Sequence, residues 1–152
     1  MRFHLIAVGK LGAGPERALF EHFAERLSSP LSVKEVDEKR SLPSAALKKS
    51  EGQKLLAAIP ARAVTVALDE KGKAIASRAF AQRLGVWRDE GVRDIAFLIG
   101  GADGLDQAVL KAASMTLSFG SMTWPHKLVR GLLAEQLYRA QSILSGHPYH
   151  RE

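Results

Sequence analysis

Short apolar runs alternate along this chain with longer segments in which apolar residues recur every three or four positions. The runs predict buried strands, and the longer segments predict amphipathic helices. The predicted strands cover residues 3–8, 31–36, 63–68, 95–99 and 115–119. The predicted helices cover residues 15–27, 77–91, 106–113 and 127–145, with one more from near Ser44 toward Ile59. This alternation predicts an α/β fold with a mostly parallel sheet and helices on both faces.

Local signals set several of these boundaries. Ser77 is a plausible N-cap for the third helix, and Gly72 is expected to close the turn that follows the third strand. Gly146 is placed to end the last helix, and Pro148 prevents its resumption. The chain beyond Gly146 is therefore expected to leave the helix from a fixed point.

Length and composition narrow the class of protein. With 152 residues, the chain is expected to form one domain over residues 1–152. The first apolar stretch is too short for a signal peptide, and no apolar run approaches membrane-spanning length. The expected location is therefore the cytoplasm, without a membrane partner. The absence of cysteine excludes disulfides, thiolate metal sites and cysteine nucleophiles.

The charge balance indicates an anionic partner. The sequence has 22 Lys and Arg residues against 16 Asp and Glu residues, which gives a net charge of +6. Such an excess favours binding to a polyanion through the release of counterions. Charge alone is a weak signal, because many basic proteins bind no nucleic acid.

Three predicted strands end in sequences that suit ligand binding. These are residues 68–73, residues 98–104 with three glycines at 100, 101 and 104, and residues 119–126 with Met122 and Trp124 as apolar walls. Ligands of parallel α/β sheets bind beyond the carboxyl ends of the strands. Glycine allows a ligand to approach the backbone closely, although a tight strand-to-helix turn would need it equally. The three ends are therefore expected to form one site.

Several common chemistries do not fit these loops. Neither G-x-x-x-x-G-K-[ST] nor G-x-G-x-x-G occurs, so a P-loop or dinucleotide fold is not expected. The chain has no G-x-S-x-G elbow, so Ser121 is not expected to be a hydrolase nucleophile. His147 and His150 lie three residues apart on a Pro-containing tail without nearby carboxylates, and no metal site is expected.

Taken together, these loops, residues 135–140 and the ending HPYHRE resemble one family along essentially the whole chain. It is the RlmH type of ribosomal RNA methyltransferase, which belongs to the SPOUT class. The resemblance implies S-adenosylmethionine as cofactor, a C-terminal trefoil knot and a homodimer. It implies methyl transfer to N3 of a pseudouridine in 23S ribosomal RNA within the assembled ribosome. The donor-binding positions that it implies are Leu68, Gly100, Gly101, Phe119, Gly120, Ser121, Met122, Thr123 and Trp124.

The resemblance also implies a catalytic role for the tail. Methylation requires loss of the N3 proton, and His150 is a candidate acceptor or a partner of the base. Arg139 and Arg151 are candidates to hold the uracil oxygens or backbone phosphates, and Tyr149 to stack on the base. The alternatives are an exposed tail for these residues and a solvated helix face for Arg139.

Two positions at the start of the last helix are weaker candidates. His126 and Arg130 are expected either to hold the preceding loop and meet RNA phosphate near the helix amides, or simply to cap and solvate that end of the helix. Two other classes of protein stay open on the residues alone. A non-catalytic RNA-binding factor would not bind the methyl donor, and another nucleotide-binding enzyme would prefer a phosphorylated cofactor.

Overall fold

A computed structural model describes residues 1–151 of the chain and shows five strands alternating with five helices. The strands are β1 (Arg2–Val8), β2 (Leu31–Val36), β3 (Val64–Ala74), β4 (Asp94–Ile99) and β5 (Met115–Ser118). The helices are α1 (Pro15–Ala24), α2 (Ser44–Ala57), α3 (Ser77–Asp89), α4 (Gln107–Ala112) and α5 (His126–Ser145). Their order and type agree with the hydrophobic pattern.

The strands form one sheet in the order β2-β1-β4-β3-β5, and every pair is parallel. The strand β4 lies at the centre, and all six of its residues are buried. Since parallel strands need helical crossovers, both faces of the sheet are covered. The carboxyl ends of β1, β3, β4 and β5 therefore share one edge.

Side chains of β4 alternate between two apolar layers. Ile95 and Phe97 belong to the larger cluster, which includes residues from α1, α3 and α5. Ala96 and Leu98 belong to the smaller cluster, which includes Leu55 of α2 and residues of α4. The period of two along a strand places successive side chains on opposite faces. The helices are thus divided between the faces, with α1, α3 and α5 on one side.

The third strand is longer than its sequence predicts. Leu68 and Lys73 both pair with Leu117 of β5, so the four residues between them leave the ladder as a bulge. A Cβ on Gly72 would lie 2.7 Å from the carbonyl carbon and oxygen of Thr116. Gly72 therefore allows β3 to approach the backbone of β5 closely. It does not close a turn after the third strand, so that prediction is wrong.

Most other boundaries agree with the sequence prediction to within two residues, but the end of α1 and the role of Ser77 do not agree with it. The helix α1 ends at Ala24 rather than at residue 27, and the amides of Arg26 and Leu27 make only i to i−3 bonds. Ser77 is the first residue of α3 and not its N-cap. Its hydroxyl donates instead to Gln136 Oε1 of α5 at 2.7 Å, which ties the two helices together.

Candidate active site

The ends of β3, β4 and β5 surround one cleft of about 550 Å³. This volume lies within the range of about 300–1,000 Å³ that small-molecule sites occupy. The bulge of β3, the loop after β4, the loop after β5 and the first turn of α5 supply its walls. The residues that line the cleft include Leu68, Asp69, Glu70, Lys71, Gly100, Gly101, Asp103, Gly104, Phe119, Gly120, Met122, Thr123, Trp124 and His126.

The loop after β4 is folded tightly enough to require glycine. A Cβ on Gly100 would lie 2.8 Å from the carbonyl carbon and oxygen of Gly104. Gly101 and Gly104 form an isolated antiparallel bridge, in which the Gly104 amide donates to the Gly101 carbonyl at 3.0 Å. Gly104 also has a φ of 82°, in the left-handed region. At its three glycines the loop therefore lines the cleft with backbone alone.

Ser118 fixes the loop after β5 to the bulge of β3. Its hydroxyl lies 3.0 Å from the Glu70 carbonyl and 2.8 Å from the Gly120 carbonyl, and it accepts from the Gly120 amide at 3.1 Å. Thr123 donates to Glu70 Oε2 at 2.9 Å. These bonds hold two walls of the cleft together. Ser118 was not among the predicted site residues, and the sequence has no signal that pairs it with Glu70.

His126 contributes a half-buried imidazole to the cleft wall. Its Nδ1 is buried and has no hydrogen-bond partner among the described residues. Burial lowers the pKa of His126, and the positive charges of Arg130 and Lys127 lower it further. A neutral imidazole is therefore favoured at this wall.

Most of the predicted donor-binding residues lie together in this cleft. Leu68 is both buried strand core and part of the lining. Met122 and Trp124 are exposed apolar side chains at the rim, with 73% and 41% of their surface accessible. Ser121 is exposed and is not among the described lining residues. Their roles in binding a donor stay predictions.

The predicted catalytic residues form a second cluster, on α5 and the tail. Arg139 Nε and Nη2 donate to Glu135 Oε1 at 3.0 and 2.5 Å, and Arg139 Nη1 lies 3.3 Å from His150 Nδ1. The Tyr149 hydroxyl donates to the same Glu135 oxygen at 3.1 Å. The guanidinium of Arg139 lies 4.8 Å from the centre of the Tyr149 ring. The tail is thus folded against α5 and not extended into solvent.

The electrostatics of this cluster favour a cationic Arg139 and a neutral Tyr149. The hydrogen bonds from Arg139 to Glu135 raise the pKa of Arg139. Burial raises the pKa of Tyr149, and the hydrogen bond to Glu135 raises it further. Tyr149 is therefore a hydrogen-bond donor rather than a base near neutral pH. Glu135 was not predicted to organise the site, although a Glu four residues before an Arg on a helix is a recognisable signal.

The two clusters do not meet within one described chain. Arg139, Tyr149, His150 and Arg151 are all absent from the described lining of the cleft. Arg151 is exposed, and Glu152 lies outside the described residues. A single chain therefore brings the predicted donor residues together and the predicted tail residues together, but at separate places.

The role predicted for Arg130 is wrong. Its side chain is 1% exposed, so it neither contacts phosphate nor solvates the helix end. It donates to Glu35 Oε2 at 2.6 Å and to the carbonyls of Val8 and Gly9 at 3.2 and 2.8 Å. Burial alone would raise the pKa of Glu35, but hydrogen bonds from Arg130 and the Leu11 amide outweigh it and lower that pKa. Arg130 joins the first turns of α5 to the end of β1.

The described part of the chain holds neither a metal cluster nor a membrane-spanning helix. Within residues 1–151, no three His, Asp or Glu side chains are grouped so that they could hold a metal ion. None of the helices described there combines the length and the apolar character needed to cross a membrane.

The comparisons with known proteins agree with this geometry. Residues 1–150 match the family described as predicted SPOUT methyltransferase. The chain belongs to the SPOUT methyltransferase family. Membership confirms the resemblance noted in the sequence, the fold class and the methyltransferase activity. The trefoil knot that this family name implies stays a prediction.

Two SPOUT relatives are similar to the chain over nearly its whole length. Both are named ribosomal RNA large subunit methyltransferase H. The protein of Paramagnetospirillum magneticum is 60% identical and that of Rhodospirillum centenum is 57% identical, each over 99% of both chains.

A solved structure supports the same fold at much lower identity. The putative methyltransferase of Legionella pneumophila, in complex with the cofactor SAM, matches with a TM-score of 0.52 and 12% identity. The match covers 92% of this chain and 66% of that one. This match shows the fold, while membership of the SPOUT methyltransferase family and the full-length methyltransferase relatives confirm the expectation of S-adenosylmethionine as the cofactor.

Proposed function

We propose that this SPOUT enzyme transfers a methyl group from S-adenosylmethionine to N3 of a pseudouridine in large-subunit ribosomal RNA. The observation that carries the proposal is the convergence of three strand ends on one cleft of about 550 Å³. The names of the two full-length relatives support ribosomal RNA of the large subunit as the substrate. The choice of N3 rests on the family resemblance of the loops and tail.

The cleft fits the chemical nature of the donor. A nucleoside needs apolar walls and backbone hydrogen-bonding groups, and the cleft offers Leu68, Met122 and Trp124 beside the backbone of Gly100 and Gly101. A side chain at Gly100 would collide with the Gly104 carbonyl, so the fold of this cleft wall itself requires glycine there. The bound donor supplies an activated methyl group on a sulfonium. The protein must then supply orientation and handle the proton of the acceptor.

The tail cluster fits the requirements of the acceptor. The N3 nitrogen carries a proton, and its loss spreads negative charge onto the two flanking carbonyl oxygens. Arg139 is cationic and can hold these oxygens, while the neutral Tyr149 supplies a ring and a hydroxyl donor. His150, next to Arg139, is the proposed proton acceptor or the partner of that base. Arg151 follows directly and is exposed for contact with RNA phosphate.

We place the complete site between two copies of the chain. The cleft and the tail cluster are separate within one protomer, so a donor in the cleft needs the tail of a partner. Exposed Met122 and Trp124 give the rim of the cleft an apolar surface for such a contact. A two-fold dimer would repeat the arrangement and form two sites. The homodimer is thus part of the proposed mechanism.

The assembled ribosome is the proposed substrate, and the cytoplasm is the proposed location. A single domain of 152 residues with a net charge of +6 can use phosphate contacts for affinity. It has little surface for reading a long sequence, so the shape of the ribosome would select the nucleotide.

Calorimetry with S-adenosylmethionine tests the first step. We expect binding to wild-type protein and none to Gly100→Val, because the branched side chain collides with the Gly104 carbonyl. Gly91→Ala is the matched control, since Gly91 has a left-handed φ of 85° in the α3–β4 turn, at the opposite end of β4 from Gly100. The control should melt lower but bind the donor. Equal affinity for wild type and Gly100→Val would refute the assignment of the cleft.

Mixing two inactive variants tests the composite site. A variant without donor binding, Gly100→Val, is unfolded and refolded together with a variant lacking residues 149–152. Random pairing makes about half of the dimers mixed, each with one intact site, so about a quarter of wild-type methylation should return. Each variant alone should be inactive, and the truncated one should still bind the donor. No recovery from a mixture of folded dimers would refute a site shared between protomers.

A further inference from the structure

One buried carboxyl lies behind the cleft and has no role in the proposed function. Glu51 of α2 is 8% exposed. Its Oε1 is buried and has no hydrogen-bond partner among the described residues. Carboxylates are almost never buried unless they are paired, because loss of hydration is costly. A group of this kind needs a specific reason to be retained.

The carboxyl of Glu51 lies directly against the loop after β4. A Cβ on Gly101 would be 3.1 Å from Glu51 Oε2 and 3.2 Å from Val8 Cγ1. The carboxyl therefore fills the space behind Gly101, at the end of β1. Gly101 itself lines the cleft with its other side, whereas Glu51 is not among the lining residues. Any effect of Glu51 on a donor must act through this loop.

Gly52, the next residue of α2, lies against the far end of the loop that follows β4. A Cβ on Gly52 would be 3.1 Å from Asp106 Cβ and 3.1 Å from Val109 Cγ2. Asp106 is the N-cap of α4, and its side chain accepts from the Ala108 amide at 3.3 Å. Glu51 and Gly52 thus support both ends of the segment from Gly101 to Asp106.

The charges around Glu51 favour its neutral form. Burial raises the pKa of Glu51, and Asp103 of the loop, Asp37 and Glu38 raise it further. Lys54 on the next turn of α2 opposes them. Lys54 is also 3.3 Å from Glu38, so its charge is partly compensated there. Ionisation of Glu51 would place a negative charge close to the acidic groups Asp103, Asp37 and Glu38.

We propose that Glu51 is a positioning residue for the methyl donor, whose uncharged carboxyl packs behind Gly101 and holds the Gly100–Gly104 loop in its binding conformation. The inference rests on the proposed binding of the donor in the cleft. The protonated form of Glu51 supports the binding conformation of the loop and ionisation opposes it, so its contribution to donor binding is complete at low pH. It decreases as the pH rises toward the raised pKa of Glu51. Donor affinity should therefore weaken with increasing pH.

Calorimetry with S-adenosylmethionine from about pH 5 to about pH 9 tests this role. The pH interval starts just above the ordinary pKa of a glutamate and extends upward, because the pKa of Glu51 is raised. Glu51→Gln keeps the shape and is permanently uncharged, so its donor Kd should stay within about threefold of that of wild type at low pH. Glu51→Ala leaves a void behind Gly101, and its donor Kd should rise at least about tenfold. Circular dichroism and melting identify variants that remain folded.

The pH profile separates positioning from a merely structural role. The ratio of the Kd of wild type to that of Glu51→Gln should increase with pH, whereas titration of His126 or of the donor affects both proteins equally. Glu90→Gln, at an exposed carboxyl after α3, should follow wild type throughout. If Glu51→Ala does not fold, this ratio still tests the proposal.

Three results would overturn the proposal. The first is a ratio of the wild-type donor Kd to the Glu51→Gln donor Kd that stays constant with pH. The second is a loss of donor affinity in Glu51→Gln as large as that in Glu51→Ala. The third is wild-type donor affinity in a folded Glu51→Ala. A wild-type protein that binds no donor at any pH would instead refute the proposed function, on which the inference rests.

Discussion

Replacing Arg130 by methionine removes the most deeply buried cation of the chain. The substitution keeps much of the apolar volume but eliminates three hydrogen bonds, to Glu35 Oε2 and to the carbonyls of Val8 and Gly9. Two backbone acceptors are then left without this donor near the end of β1. Glu35 retains the hydrogen bond from the Leu11 amide and is partly exposed, so water can compensate it in part.

The expected cost follows from these bonds. Each carbonyl that loses its donor costs about 1 kcal/mol, and the charge-assisted bond to Glu35 about 1.5 kcal/mol after its partial exposure is considered. The sum of about 3.5 kcal/mol lies within the range of about 3–5 kcal/mol for breaking a buried ion pair. With a urea m-value of about 2 kcal/mol/M, the unfolding midpoint should fall by roughly 1.7 M. The protein concentration must be fixed, because a dimer unfolds with a concentration-dependent midpoint.

Two comparisons make this prediction specific to the burial of Arg130. Arg17→Met breaks a pair with Glu21 in which both side chains are about half exposed and screened by water, so the unfolding midpoint should barely change. Glu35→Gln should destabilise wild type more than it destabilises Arg130→Met, because the two side chains interact. A midpoint shift for Arg130→Met as small as that for Arg17→Met would refute the reasoning.

Three further predictions concern the sheet, its acid stability and the substrate. Gly72→Ala should destabilise the fold by about 1–3 kcal/mol, because its Cβ would lie 2.7 Å from the backbone of Thr116, and an unchanged melting temperature would contradict this. Hydrogen bonds from Arg2, which has the largest effect, and from His4 lower the pKa of Asp94 to about 2. The stability that Asp94 adds should be complete above about pH 3.9 and lost as the pH falls toward 2, whereas Asp94→Asn should show a flatter acid limb in urea titrations. Affinity for ribosomes, measured by filter binding, should fall steeply with salt, and a flat dependence would contradict binding through phosphates.

Regular elements of this fold were predictable because their signals are local. All five strands and five helices follow from apolar periodicity, and the end of α5 follows from Gly146, which has a φ of 74°. The convergence of the three strand ends also followed, since parallel strands end at one edge of a sheet. The error at β3 has a different origin. Residues 69–72 are polar and contain Gly72, which is typical of a turn, while the crossing with Thr116 is a tertiary contact.

The charged residues show where the sequence gives no warning. Arg130 and its partner Glu35 are 95 residues apart, so the burial of Arg130 cannot be read from the first turns of α5. Glu51 lies in a helix with lysines at 48, 49 and 54, a composition typical of a solvated surface, yet it is buried behind Gly101. The separation of the tail from the cleft is likewise a property of the folded chain, and it is the reason for proposing a shared site.

In the proposed mechanism, the cleft of one protomer and the tail of its partner together methylate ribosomal RNA. The most direct measurement incubates the pure protein with methyl-labelled S-adenosylmethionine and ribosomes from a strain that lacks this gene, followed by mass spectrometry of the RNA. We predict label on a single pseudouridine of the large subunit for wild type, and none for Gly100→Val or for the chain without residues 149–152. Absence of label with wild type, or undiminished label with the truncated chain, would contradict the account.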